Sequence, residues 1–197
     1  MATKFRFKAG LVKTPVGTAV FPHLNEPDTK FKEEGEYKVS LALSGEEASS
    51  LMASIDIMQD EALAAFKESS EGKGKKKVGK AKPPYREELD EEDEPTGRTL
   101  FSFKSSYKPS IVDSKVKPIS PDTKLWGGSE IRVNADVGGW HIPLQGGVGV
   151  TMYMKGVQVI KAVGGNSGAS DFDEVDGGFV DDGFDVQEES VEQEADY

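Results

Sequence analysis

Two stretches within the first 43 residues alternate between apolar and polar side chains, with the period of two that a half-buried β-strand shows. Basic residues alternate with Phe5 and Phe7 over residues 4–12, which predicts a strand with one buried and one basic face. Prolines and a glycine between 15 and 22 then indicate a loop. A second alternation over 37–43 predicts the second strand.

A helical spacing of apolar residues begins after residue 43. Ser44-Gly-Glu-Glu47 has the form of a capping box, in which the first and fourth residues satisfy backbone N–H groups reciprocally. Apolar side chains then recur three or four residues apart, at Ala48, Leu51, Met52, Ile55, Met58, Ala62 and Phe66. We predict one long helix that ends before Gly72.

Residues 72–97 break this periodicity. Seven basic residues come first and seven acidic residues follow them, and glycines and two adjacent prolines lie among them. We therefore predict a flexible charged insertion within the domain. Its basic half has the charge to contact phosphates.

The rest of the body is rich in alternating segments. Apolar and polar residues alternate over 100–104, 130–137 and 148–155, and Gly156 indicates a bulge or bend before 157–163. The order of strand, strand, helix, insertion and three or more strands predicts a mostly β fold. Its form is a small five-stranded barrel, closed or partly closed, with one α-helix. An open β-sandwich is the alternative.

The chain divides into a body, a linker and a tail. Residues 1–163 are long enough for one domain with a single core, with 72–97 inserted in it. Residues 164–170 are rich in glycine and serine and predict a flexible linker. Residues 171–197 carry 12 of the 35 acidic residues and no basic residue, and their aromatic residues follow no period. Such a segment buries too little apolar surface to offset its chain entropy, so we predict a disordered acidic tail.

The tail changes the meaning of the formal net charge, which is −11. The first 170 residues hold all 24 basic residues against 23 acidic ones, and residues 95–170 hold nine basic against four acidic. A near-neutral body with a basic, strand-rich half is therefore joined to its own polyanion. The tail is either a solubilising extension or an interaction segment that mimics a polyanion.

Residue types exclude several classes of function. Cysteine is absent, which excludes disulfides and thiolate metal sites and fits a reducing compartment. The N-terminus has no apolar signal segment and no 18-residue apolar run occurs, so we expect a soluble intracellular protein without a membrane span. The P-loop-like run Gly74–Ala81 has alanine in place of the hydroxyl that holds Mg²⁺, and His23 and His141 alone cannot form a zinc site. We predict no enzyme, no cofactor and no metal.

Aromatic and basic residues remain, and a protein that holds single-stranded DNA without reading its sequence needs both. Rings stack on bases, at about 1–3 kcal/mol for each base, and cations neutralise the backbone. The stacking candidates are Tyr153, Tyr107, Trp126 and Trp140. The candidate backbone contacts are Lys4, Arg6, Lys8, Lys104, Lys108, Arg132 and Lys155. Core packing is the alternative for every ring, and it is our interpretation of Phe5, Phe7, Phe66, Phe101 and Phe103.

In layout the chain resembles the phage-encoded single-stranded DNA-binding proteins of the T7-like type. The likeness rests on the segment Lys4–Lys8, the early helix, Lys124-Leu-Trp-Gly-Gly-Ser129, the glycine-rich strand region 147–163 and the acidic tail. It implies an OB-fold that binds single-stranded DNA in viral DNA replication, recombination and repair, in the cytoplasm of the infected bacterium. It also implies a tail that contacts the phage DNA polymerase and primase-helicase, and homodimers, which occur in that family.

Within the tail, the predicted partner contacts are Asp181, Asp182, Phe184, Asp185, Glu194, Asp196 and Tyr197. Family members typically end in phenylalanine, so the terminal tyrosine is a departure, and residues 72–94 have no counterpart in the family that we can assign. Two alternatives to single-stranded DNA binding stay open. One is an interaction or chaperone-like protein whose tail binds a basic partner, and the other is an RNA-binding module of the cold-shock type.

Overall fold

The computed structural model of the protein describes residues 5–30, 32–75, 77–120, 123–143 and 147–164. Within these ranges the chain forms one helix and eight strands. In chain order they are β1 (Arg6–Lys13), β2 (Gly17–Asp28), β3 (Glu36–Ser44), α1 (Gly45–Glu68), β4 (Tyr85–Leu89), β5 (Pro95–Ser105), β6 (Ser110–Val112), β7 (Glu130–Ile142) and β8 (Gly147–Lys161). The predicted tail, and the predicted linker apart from its first residue, lie outside the described residues.

Five of the strands pair with one another in a closed ring. β2 pairs with β3, β3 with β5, β5 with β8, β8 with β7, and β7 again with β2. All these pairs are antiparallel except β5 with β8. Outside the ring, β1 pairs with β7, β4 with β5 and β6 with β8. The predicted mostly β fold, with a five-stranded barrel and one helix, is therefore confirmed over the open sandwich.

The alternation along the strands sorts side chains between the inside and the outside of the barrel. One ladder of paired residues points inward and is buried: Val39, Phe103, Met152 and Val137. The adjacent ladder points outward and contains the residues next to these, before them in β3 and β7 and after them in β5 and β8: Lys38, Lys104, Tyr153 and Asp136. The periodicity that builds the core thus also gathers charged and aromatic groups on the outer surface.

Helix α1 packs against β1, β3, β7 and β8. Its buried residues follow the helical spacing and are Ala48, Leu51, Ile55, Gln59, Ala62 and Phe66. The Phe5 ring meets the Phe66 ring edge-on, with centroids 5.1 Å apart, and all five phenylalanines predicted as core residues contribute to the core. The predicted capping box is wrong, because Ser44 makes no side-chain cap hydrogen bond. Gly45 has a φ of 59°, so the helix entry departs from capping-box geometry.

Glu71, just beyond α1, joins the helix to two strands. Its carboxylate accepts a hydrogen bond from the Phe5 N–H at 2.9 Å and is hydrogen-bonded to His141 Nδ1 at 2.7 Å. The bond to His141, followed by the bond from Phe5, holds the pKa of Glu71 below its ordinary value. The His141 side chain is buried and its ring lies 4.1 Å from that of Phe66, centroid to centroid. Glu71 and His141 form a clamp, named here the Glu71–His141 clamp.

The prediction of a flexible insertion over 72–97 is wrong for its second half. β4 pairs with the first part of β5 as a hairpin, and the Glu88 carboxylate, buried against it, accepts a hydrogen bond from Arg98 at 2.9 Å. Tyr85 donates to Asp56 of the helix at 2.8 Å, and burial and this bond raise the pKa of Tyr85 to about 12. Long-range pairing with β5 orders this acidic segment, although its own sequence has little strand character.

Two other strands differ from the prediction. The expected loop over 15–22 is wrong in part, since β2 begins at Gly17 and continues through a register shift between Val20 and His23. Pairing with β3 on both sides of the shift carries the strand past Pro22. The bend predicted at Gly156 is present, as a register shift opposite Asn134, and β8 runs on without interruption to its end.

Candidate nucleic-acid interface

A groove of 660 Å³ crosses the outer surface of the barrel, bordered by β2, β3, β5 and the ends of β7 and β8 where they pair. Four lysines and two acids line it: Lys30, Lys38, Lys82, Lys104, Asp28 and Glu36. Three aromatic rings, of which that of Phe103 is buried, and three hydroxyl side chains also line it: Phe21, Phe103, Trp140, Ser40, Ser102 and Thr151. This combination of cations, rings and small polar groups is what single-stranded nucleic acid requires of a surface.

The charges in the groove come from neighbouring strands. Lys38 of β3 and Lys104 of β5 are directly opposite each other. Like charges in that position destabilise a sheet by roughly 0.2–1 kcal/mol, and a bound anion would remove the repulsion. Asp28 forms an ion pair with Lys38, and the hydrogen bond from Lys38, followed by the bond from the Lys30 N–H, lowers the pKa of Asp28. The groove therefore holds a carboxylate paired with one of its lysines.

Trp140 occupies one wall of the groove. It is paired in register with Gly149 of β8, and a Cβ atom at that glycine would lie only 2.5 Å from the indole ring. The ring therefore rests on bare backbone, and its Nε1 donates a hydrogen bond to Thr151 Oγ1 at 2.9 Å. Packing and hydrogen bonding fix the orientation of this predicted stacking residue.

Tyr153 lies on the same outer face, next to Lys104 in the register of β5 and β8. The residue is 46% exposed, and its ring covers Gly138 of β7, where an added Cβ would approach it to 2.7 Å. Lys155 follows on this face and pairs with Asp136 at 3.4 Å. The prediction that Tyr153 lies opposite the buried face of β8 is confirmed, and its role in stacking stays a prediction.

β1 adds two of the predicted cations to this surface. Arg6 is paired in register with Trp140 and Lys8 with Gly138, and both basic side chains are exposed. The strand therefore continues the outer face beyond β7. Lys4 lies outside the described residues, as do all of the predicted tail contacts.

Other predicted residues lie apart from the groove. Tyr107, 84% exposed, and Lys108 follow the end of β5 and come three and four residues after Lys104. Arg132 donates from Nε to the Thr14 carbonyl at 3.2 Å, which ties β7 to the end of β1. The structure therefore brings together only part of the predicted site.

Trp126 lies in the loop that precedes β7, and this loop runs back along β2. Leu125 N–H donates to Asn25 Oδ1 at 3.3 Å and Gly128 N–H donates to the Ala19 carbonyl at 2.9 Å. Trp126, half-exposed, is therefore held beside the part of β2 that contains the register shift. It is close in the fold to the groove but is not one of the residues that line it.

Several groove residues were not predicted from the sequence. Lys38 was detectable, since it is the polar position of an alternating strand. Phe21 and Lys82 were not, because both lay in segments interpreted as loop or insertion. Among the described residues no cluster of histidine, aspartate and glutamate could hold a metal ion, and no helix there is long and apolar enough to cross a membrane.

Comparisons with known proteins give the fold a context. The crystal structure of gp2.5, a single-stranded DNA-binding protein encoded by bacteriophage T7, is similar with a TM-score of 0.64 and 22% identity, over 84% of this chain and 98% of that one. The single-stranded DNA-binding protein from bacteriophage Enc34, in complex with ssDNA, is similar with a TM-score of 0.58 and 17% identity, over 79% and 89% of the two chains. These likenesses confirm the predicted OB-type fold.

At the level of sequence, no curated protein matches the chain. A family profile, however, matches residues 12–183, which is most of the chain. The family is described as the ssDNA-binding protein of Enterobacter phage Enc34. The protein therefore belongs to this family of phage single-stranded DNA-binding proteins, as its sequence layout suggested.

Proposed function

We propose that the protein binds single-stranded DNA, without sequence preference, in the groove between β2, β3 and β5 and along the outer face of β8. The observation that carries the proposal is one groove lined both by Lys38 and Lys104, which lie opposite each other, and by the aromatic rings of Phe21 and Trp140. Membership of a phage single-stranded DNA-binding family supports it.

Lysines and aromatic rings make different contributions to binding. Lysines attract the phosphates and release counterions, which makes binding depend steeply on salt. The rings offer flat faces to bases, and since every base has such a face, binding tolerates any sequence. Tyr153 lies beside Lys104 and extends the surface beyond the groove, with Arg6 and Lys8 on its far side. Tyr107 and Lys108 follow as further contacts at the end of β5.

The proposed biological role extends this binding activity. Protein bound along exposed strands protects them during viral DNA replication, recombination and repair in the cytoplasm of the host. The proposed partners of the acidic tail are the phage DNA polymerase and primase-helicase, and a homodimer is the proposed assembly. Support for the tail contact is its charge, with 12 acidic residues and no basic residue over 171–197. The proposed function is one of binding and involves no catalysis.

A fluorescence titration tests the proposal. The full chain is mixed with labelled oligo-dT, a mixed-sequence oligonucleotide, oligo-U and a duplex of equal length, at about 50 and about 200 mM salt. We expect similar affinity for the two single-stranded DNAs, weaker affinity for the duplex, and loss of affinity with salt. Absence of binding to any single strand at low salt would contradict the proposal, and a clear preference for oligo-U would favour the RNA-binding alternative.

A further inference from the structure

Phe21 stands in an unusual backbone conformation within a strand. Its φ is 48°, in the left-handed region that bulky residues rarely adopt, and it lies at the register shift of β2 between Val20 and His23. A residue held this way costs on the order of 1–3 kcal/mol and persists only where the surrounding structure imposes it. Bulges of this kind re-aim a side chain and are frequent beside functional sites.

Burial does not explain why this residue is a phenylalanine. Phe21 is 76% exposed, whereas Phe66, Phe101 and Phe103 are fully buried. Among the described residues, Val116 is also exposed with a positive φ, of 64°. Its conformation belongs to a tight turn, in which its N–H donates to the Asp113 carbonyl at 3.0 Å. No such chain reversal occurs at Phe21, where the strand continues.

The residues around Phe21 show which groups of the groove lie near its side chain. Its side chain lines the groove on the β2 wall, and Trp140 lines the groove from β7. His23, two residues after Phe21, is paired with Lys38, which is itself opposite Lys104. Pro22 restricts the backbone immediately after the ring, because its φ is fixed by the pyrrolidine. An exposed ring on a restricted stretch of backbone therefore borders a row of cations.

We propose that Phe21 is a preformed stacking platform, on which a nucleobase of the bound strand lies at the β2 wall of the groove. This inference rests on the proposed function and adds the recognised group, a base and not a phosphate, at a defined residue. The strained bulge sets the direction in which this side chain leaves the backbone before the strand arrives, so no backbone rearrangement is needed on binding. Trp140, which lines the groove from β7, is fixed by other means, its packing on Gly149 and its hydrogen bond to Thr151.

Variants of Phe21 distinguish the effect of the ring on binding from the effect of the backbone strain. Phe21→Gly removes the ring and relieves the positive φ, Phe21→Ala removes the ring alone, and Phe21→Trp keeps an aromatic face. Val116→Gly is the matched control, since it relieves a positive φ at an exposed apolar residue that does not line the groove. Each variant is titrated with oligo-dT and with an abasic oligonucleotide of equal length, and its Tm is recorded.

We expect Phe21→Gly and Phe21→Ala to weaken oligo-dT binding by about 5- to 140-fold, the range of one stacked base. Binding of the abasic strand should be unchanged, because it offers no base to stack. The Tm of Phe21→Gly should equal or exceed that of the wild type, Phe21→Trp should retain affinity, and Val116→Gly should bind like the wild type.

Three outcomes would contradict the proposal that Phe21 is a stacking platform. They are equal oligo-dT affinity of Phe21→Gly and wild type, an equal loss on the abasic strand, and unfolding of both Phe21→Gly and Phe21→Ala. In each case binding by the wild type leaves the proposed function intact. If the wild type binds neither oligonucleotide, the proposed function itself fails, and the two failures are thereby distinguished.

Discussion

Charged and aromatic residues lie close together on the outer face of the barrel. Lys38 and Lys104 repel each other across β3 and β5, and Asp28 offsets part of this repulsion from the end of β2. Trp140 and Tyr153 lie over glycines where a larger residue would clash. Strained or like-charged groups that the fold does not need are typical of sites that bind a ligand. The arrangement is consistent with a surface selected for binding.

Replacing Tyr153 tests one predicted stacking residue. Its ring is half-exposed, so Tyr153→Ala should change the free energy of unfolding by less than about 1 kcal/mol. Poly-dT binding should weaken by about 1–3 kcal/mol, while Tyr153→Phe should retain affinity because the ring face remains. Fluorescence titration and thermal melts measure the two effects. Unfolding of Tyr153→Ala would show that the ring is structural.

Replacing Asp28 tests the competition between its carboxylate and phosphate for Lys38. Asp28→Asn removes the negative charge from the groove and should raise affinity for oligo-dT about threefold to tenfold at low salt. Glu26→Gln is the control, because it makes the same change of charge at an exposed residue that does not line the groove. Equal gains in the two variants would show a general charge effect and no specific competition.

Elements of the fold place these residues by long-range pairing. The bulge in β2 contains the exposed Phe21, and β4 pairs with part of β5. The bend in β8 comes just after Tyr153. The Glu71–His141 clamp connects the end of α1 to β1 and β7, which carry Arg6 and Trp140. The position of β1 on the outer face therefore depends partly on one carboxylate.

The clamp predicts an acid-sensitive contribution to stability. The pKa of Glu71 is lower in the folded state than in the unfolded state, so its bonds stabilise the fold fully above the unfolded value. This contribution is lost as the pH falls through the folded value. Glu71→Gln should therefore lower the Tm at about pH 7, and the difference from wild type should shrink as the pH falls through the folded-state pKa of Glu71. Glu68→Gln is the control, and a Tm difference that is independent of pH would contradict the assignment.

Charge is unevenly distributed over the whole molecule. Helix α1 carries six acidic residues and one basic residue, whereas the groove has four lysines and two acids. Such a distribution directs a polyanion toward the groove and away from the helix. The full chain nevertheless has a net charge of −11, because the tail contributes 12 acids. We propose that at this scale the charge of the tail opposes the attraction of a polyanion to the groove.

Removing the tail tests this opposition. Deletion of Asp171–Tyr197 leaves 24 basic and 23 acidic residues. We expect affinity for single-stranded DNA to rise about tenfold at low salt, with a smaller gain at high salt because ions screen the tail. A chain whose 12 tail acids are replaced by their amides serves as the control for length. Unchanged affinity at low salt would exclude competition between tail and DNA.

The sequence by itself determined the elements that depend on local pattern. Alternation identified β3, β7 and β8, helical spacing identified α1, and their order was enough to predict a mostly β barrel. Alternation also assigns Tyr153 to the outer face, because side-chain direction in a strand follows from parity alone. The charge of the tail can be inferred from its composition alone. These properties are local, so no partner strand is required to infer them.

Tertiary structure alone decided which residues meet. β4 forms in an acidic segment because β5 offers it backbone partners, and β2 passes a proline because β3 pairs with it on both sides. Closure of the ring brings Phe21 and Trp140, far apart in sequence, to the walls of one groove. Pairing energy between distant strands overrides local preference, and no periodicity within a segment records it. The groove is therefore a property of the closed barrel.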